Sequence, residues 1–79
     1  MKHPRKAAVS ERAILARINR KLASDKEAIR KSRSAQMRAS VGQFYRIDLM
    51  RNFISGQDID LTRFAKELGV LRPWEEILG

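Results

Sequence analysis

Ile14, Leu15, Ile18 and Leu22 recur at three- and four-residue intervals through ERAILARINRKL. That spacing lays one apolar stripe along an α-helix. Ser10 stands just ahead of it, where a hydroxyl can accept a first-turn N–H, and Glu11 follows where the helix dipole favours an anion. Arg17, Arg20 and Lys21 fall off the stripe and Arg12 lies on its flank, so the helix is amphipathic and basic. Pro4 delays any earlier helix. Residues 1–9, MKHPRKAAV, read as a flexible basic arm ahead of a single small domain over residues 10–79.

The period changes at Gly42. In GQFYRIDL, Phe44, Arg46 and Asp48 alternate with Tyr45, Ile47 and Leu49, the two-residue repeat of a strand. Met50-Arg51-Asn52 makes a turn, since Asn tolerates the left-handed region. FISGQDID is the returning strand, and Gly56 within it signals a bulge or an early end. Residues 42–59 therefore predict a β-hairpin, which needs a third strand or a covering helix to be stable. The preceding stretch, EAIRKSRSAQMRAS, admits two readings. Its composition favours helix, but Ile29 and Met37 are too sparse to bury a helical face. The alternative is a short strand with Ile29 inward and Arg30 and Ser32 outward, followed by a mobile basic loop, SRSAQMRAS.

Asp60 is a second N-cap candidate, with Leu61, Phe64, Ala65 and Leu68 on one face of the helix it would start. Gly69 stands where a left-handed residue ends a helix. LTRFAKELGVL also has the outline of the first helix and turn of a DNA-reading helix-turn-helix. That motif needs a second helix presenting polar groups to the major groove. LRPWEEILG offers only a short turn beyond Pro73, with Glu75 and Glu76 where phosphates would repel them. A packed helix with a glycine terminus is the simpler reading. The expected fold is α+β: a basic amphipathic N-terminal helix, an antiparallel hairpin or three-stranded sheet, and a C-terminal helix.

Charge alters the picture more than composition does. The net charge is +8 over 79 residues. Residues 1–38 carry 12 Lys/Arg against Glu11, Asp25 and Glu27, a balance of +9; residues 39–79 carry 5 against 6 acids, a balance of −1. A basic half joined to a neutral half suggests one face for a polyanion and another for core or contacts. A chain this short buries only about 60% of its unfolded surface, so a homodimer would help it. With no cysteine there is no disulfide or thiolate metal site. The single histidine, His3, is a tail residue. Arg and Glu residues interrupt the apolar part of the N-terminal stretch, which argues against a signal peptide, and no run reaches a membrane span. A cytoplasmic protein is expected.

The candidate nucleic-acid contacts are Arg12, Arg17, Arg20, Lys21, Arg30, Lys31, Arg33 and Arg38. Such groups track phosphates and confer affinity that falls with salt, with little sequence information. Ser32, Ser34 and Gln36 among the arginines suit phosphate or base-edge contacts. Tyr45 with Arg46 is one pair able to stack a base. Asp48, Asp58 and Asp60 lie near the hairpin, where a pair could meet in space, but they have no histidine partner, phosphate loop or metal-ligand cluster, so no enzyme and no cofactor is expected. Trp74 either closes the core or, with Leu71 and Ile77, anchors a protein partner.

INRKLA together with LGVLRPWE resembles short proteins of unassigned function carried on proteobacterial plasmids and other mobile elements, over residues 14–78. The resemblance implies a bacterial accessory protein and brings no site residues. The expected function is binding of nucleic acid, double-stranded DNA ahead of RNA, through phosphates. The rival is a non-enzymatic adaptor or inhibitor using the Trp74 segment and the hairpin edge.

Overall fold

The computed structural model describes residues 7–78. In chain order its elements are β1 (Ala7–Ser10), α1 (Glu11–Leu22), a 3₁₀ turn (Ala23–Asp25), β2 (Glu27–Lys31), α2 (Ala35–Val41), β3 (Phe44–Asp48), β4 (Phe53–Gly56), α3 (Leu61–Glu67) and β5 (Glu75–Leu78). The class is α+β. An antiparallel sheet runs in the order β2-β3-β4, and β1 and β5 form a separate parallel pair.

α1 forms where the apolar stripe places it. Ser10 is its N-cap, and its hydroxyl accepts from the Ala13 N–H at 3.1 Å. Ile14, Ile18 and Leu22 are buried, and they join Val9, Ile29, Phe44, Leu61, Ala65 and Leu71 in one core. Burying an isoleucine side chain contributes about 1.5–3 kcal/mol, so a core of this size suffices only when its members share one contiguous cluster. Lys26, left-handed at φ 58°, reverses the chain into β2.

The strand reading of residues 27–31 holds, with Ile29 inward and Arg30 outward. Ser32 does not point outward. It is buried, and its hydroxyl donates to the Gly42 carbonyl at 2.6 Å. β2 is an edge strand, and α1 closes that edge: Asn19 Oδ1 accepts from the Ile29 N–H at 2.7 Å, and its Nδ2 donates to the Ile29 carbonyl at 3.2 Å. One side chain thus imitates the next strand and occupies backbone groups that would otherwise recruit another chain.

The expected mobile loop is instead partly helix. Ser34 caps α2 by accepting from the Met37 N–H, and Gly42 ends it at φ 84°, ψ −176°, a region only glycine occupies readily. Val41 is the buried anchor of this short helix.

β3 and β4 make the predicted hairpin. Asn52 takes φ 56°, and Asp48 Oδ1 accepts from the Met50 and Arg51 N–H groups, so Asp48 is a turn-forming residue. Ile47 pairs with Ile54 but Arg46 pairs with Gly56, leaving Ser55 as the extra residue of a bulge. Beyond it Asp60 caps α3, accepting from the Arg63 N–H at 3.1 Å.

α3 ends as the glycine position requires. Gly69 has φ 74°, its N–H donates to the Lys66 carbonyl, and the Val70 N–H donates to the Ala65 carbonyl. This is the paired hydrogen-bond pattern of a left-handed helix terminus, with Val70 returning towards Ala65. Among the described residues no second helix follows. The segment read as a short helical turn after Pro73 is β5, which runs parallel to β1 with Val9 opposite Ile77. The C-terminal helix is therefore followed by a strand, and residues 7–9, read as part of the arm, belong to β1. Residues 1–6, which carry the arm cations Lys2, Arg5 and Lys6, lie outside the described residues. No helix among the described residues is long and apolar enough to cross a membrane.

Candidate nucleic-acid interface

Pairing β1 with β5 brings the far end of the chain against α1, and a cleft of about 640 Å³ results. Arg17, Arg20 and Lys21 line it from the helix; Gly69, Val70, Arg72, Trp74 and Glu75 line it from the opposite segment. Arg17, Arg20 and Lys21 share one side of α1 because residues three and four apart face the same way.

Glu75 is the one acid of this cleft, and it is already engaged. Its Oε1 accepts from the Arg72 backbone N–H at 2.9 Å and from Arg17 at 3.0 Å, and Arg17 also donates to the Val70 carbonyl at 3.1 Å. The backbone hydrogen bond from Arg72, followed by that from Arg17, holds the Glu75 carboxyl below its ordinary value of 4.5. Arg17 thus links helix and strand, and its guanidinium is largely committed to that task. Arg20, Lys21 and Arg72 are exposed and make no ion pair among the described residues.

The depressed carboxyl has a consequence for acid stability. Its contribution is fully present above pH 4.5 and is lost as pH falls through the lower folded-state value. Glu75→Gln is therefore expected to lower the melting temperature at pH 7, with the gap from wild type closing as the pH drops below 4.5. Paired thermal melts across that range check it; a gap that stays constant would mean that the ionised carboxylate stabilises nothing.

A second cleft, of about 560 Å³, is lined by Arg30, Lys31, Ser32, Arg33 and Tyr45. Arg30 and Tyr45 are cross-strand neighbours in the β2-β3 register, which sets a phenol beside a guanidinium on one sheet face. Lys31 donates to Glu11 Oε1 at 2.7 Å, so it is partly neutralised, while Arg30 and Arg33 are exposed.

The expected residues therefore divide. Arg17, Arg20 and Lys21 meet in the first cleft, and Arg30, Lys31 and Arg33 in the second. Arg12 on α1 and Arg38 on α2 are exposed but line neither. Arg72 was missed; adjacent to Pro73 in a near-neutral half, it had no cationic neighbour in sequence to draw attention. Ser32 is a buried hydrogen-bond donor, so its hydroxyl is not available for a phosphate; Ser34 accepts as a helix cap and, being exposed, keeps its O–H free to donate. The pairing of Tyr45 with Arg46 also fails, because consecutive strand residues face opposite ways. Arg46 instead donates to Glu27 and lies 5.6 Å from the Phe64 ring centroid.

Of the alternative contact residues, Leu71 is buried and Ile77 half-buried against the core. Trp74 does not close the core, being 57% exposed. Phe53 is also exposed, with Leu49, Met50 and Ile54, so the hairpin presents an apolar edge. Among the described residues no three His, Asp or Glu side chains converge as a metal site would require. No protein-family model, curated protein or solved structure matches the chain.

Proposed function

We propose that the protein binds nucleic acid, double-stranded DNA in the first instance, as an accessory or regulatory protein of a bacterial mobile element. Phosphates are held by Arg20, Lys21 and Arg72 in the first cleft and by Arg30 and Arg33 at the second, with Arg12 and Arg38 adding to the field. Arg17 and Lys31 contribute less, because each already faces a carboxylate. The observation that carries this reading is the pair of clefts, each lined by at least three cations and an aromatic side chain, with a single, already neutralised acid between them. Concave cationic surfaces concentrate field lines and raise the local density of a polyanion. Fluorescence anisotropy of a labelled duplex over a range of salt concentrations tests it, with affinity expected to fall steeply as salt rises.

A second reading is favoured by one observation, the exposure of Trp74 together with that of Phe53 and Ile54 along β4, an edge strand. A non-enzymatic adaptor or inhibitor would use such a surface, with Trp74 as its anchor. A homodimer through the same edge belongs to this reading.

A further inference from the structure

Building on the nucleic-acid reading, we infer that the first cleft takes an unpaired base, stacked on Trp74, with the flanking phosphates on Arg20, Lys21 and Arg72. Three features of the cleft lead there. The indole is more than half exposed and lines this shallow cleft beside the cations. The acid beside it, Glu75, is already engaged by the Arg72 N–H and by Arg17, so its repulsion of a phosphate is partly offset. Those three cations come from both walls, two from α1 and one from the segment leading into β5, and Trp74 stands on the second wall.

A flat π-surface flanked by unmatched cations suits a polymer that alternates aromatic rings with anions. Single-stranded nucleic acid is that polymer, and its bases stack on aromatic side chains with little sequence preference. A duplex offers its phosphates but keeps its base faces inside the helix, so it would use the cations and leave the indole idle. An acidic peptide satisfies the charge without supplying a ring. The cleft volume of about 640 Å³ is within the ~300–1,000 Å³ of ligand clefts. The natural target of the site is thus a single-stranded stretch, such as the frayed end or flank of a duplex held by the same basic surface.

Trp74 is the only tryptophan, so its emission reports this cleft alone. The test titrates the full chain with a short oligothymidylate, with a blunt duplex of the same length, and with polyglutamate, following tryptophan emission and, for the two nucleic acids, the anisotropy of an end label. The oligothymidylate is expected to quench the emission; the duplex, bound through phosphates, is expected to leave it nearly unchanged, as is polyglutamate. Trp74→Ala should weaken oligothymidylate binding by about tenfold or more while duplex binding stays within about twofold, and Trp74→Phe should restore most of the loss. Trp74 is exposed, so both variants should keep the wild-type far-ultraviolet circular dichroism. Bound oligothymidylate without quenching, or equal quenching by polyglutamate, overturns the stacking inference and leaves the phosphate reading standing. Failure of both nucleic acids to bind overturns both.

Discussion

Gly42→Ala lowers the unfolding midpoint by roughly 10–40 °C, whereas Gly69→Ala lowers it by about 4–16 °C. Both glycines have positive φ, but their surroundings differ. Gly42, at φ 84° and ψ −176°, occupies a region essentially closed to other residues, at a strain cost of about 1–3 kcal/mol. An added Cβ would also stand 2.9 Å from the Asp58 Cα, with the Asp58 carboxylate closer still. The Asp58 backbone cannot retreat easily: its N–H donates to the Val41 carbonyl at 2.8 Å, and the residue itself is left-handed at φ 50°. The Gly42 carbonyl moreover accepts the buried Ser32 hydroxyl, so moving this residue would leave that donor unsatisfied at a further cost of about 1–3 kcal/mol. Gly69 has φ 74° but nothing within 4 Å of a Cβ, so its substitution costs the left-handed strain alone, about 1–2 kcal/mol. Thermal melts followed by circular dichroism compare the two. Equal midpoints would mean that the close approach of Asp58 to Gly42 does not exist in solution.

Reversing charge at the first cleft should weaken duplex binding by roughly a hundredfold or more at low salt. The variant is Arg20→Glu, Lys21→Glu, Arg72→Glu, which takes the net charge from +8 to +2. Its control is Arg51→Glu, Arg63→Glu, Lys66→Glu, which reaches the same net charge from residues that line neither basic cleft. Arg63 instead borders Asp58, Asp60 and Glu67, an acidic neighbourhood. If binding followed net charge alone, the two triples would lose equally. If it follows the cleft, the control loses less than about tenfold, because its long-range field is screened beyond a Debye length of ~8–10 Å. All six positions are exposed, but the control also breaks the Arg63–Glu67 pair, so circular dichroism at the assay temperature must show both variants folded for the comparison to count.

Much of the fold could be read in the chain because its strongest signals are local. Ser10 and Asp60 cap the helices they precede, Gly69 ends α3, Asn52 turns the hairpin, and the stripe of α1 is the core. Each of these acts within four residues of itself. The β1-β5 pair could not be read in the same way. It joins Ala7 to Glu75, and neither AAVS nor EEIL carries a strand pattern without the other. α2 escaped because its apolar content is one buried valine and a half-buried methionine; Ser34 as a cap and Gly42 as a terminator were the available signals.

The site divides along the same line. Exposure of the basic residues followed from the helical stripe, but their grouping into two clefts depends on the β1-β5 closure and on the β2-β3 register. The partners that neutralise Arg17 and Lys31, Glu75 and Glu11, lie 58 and 20 residues away. A small domain has few large side chains to fill its core, which is why a lone tryptophan such as Trp74 reads as a core candidate. Here Ile14, Ile18 and Ile29 fill it, and the indole is left outside.

The central claim is phosphate binding, and its most direct measurement is the affinity of wild-type protein for a labelled duplex between about 50 and 200 mM salt. The logarithm of the association constant should fall linearly with the logarithm of salt concentration. Each phosphate contact contributes about −0.9 to the slope, so five contacts from Arg20, Lys21, Arg30, Arg33 and Arg72 predict a value near −4 to −5. Undetectable binding at about 50 mM salt, or a slope near zero, would contradict the account.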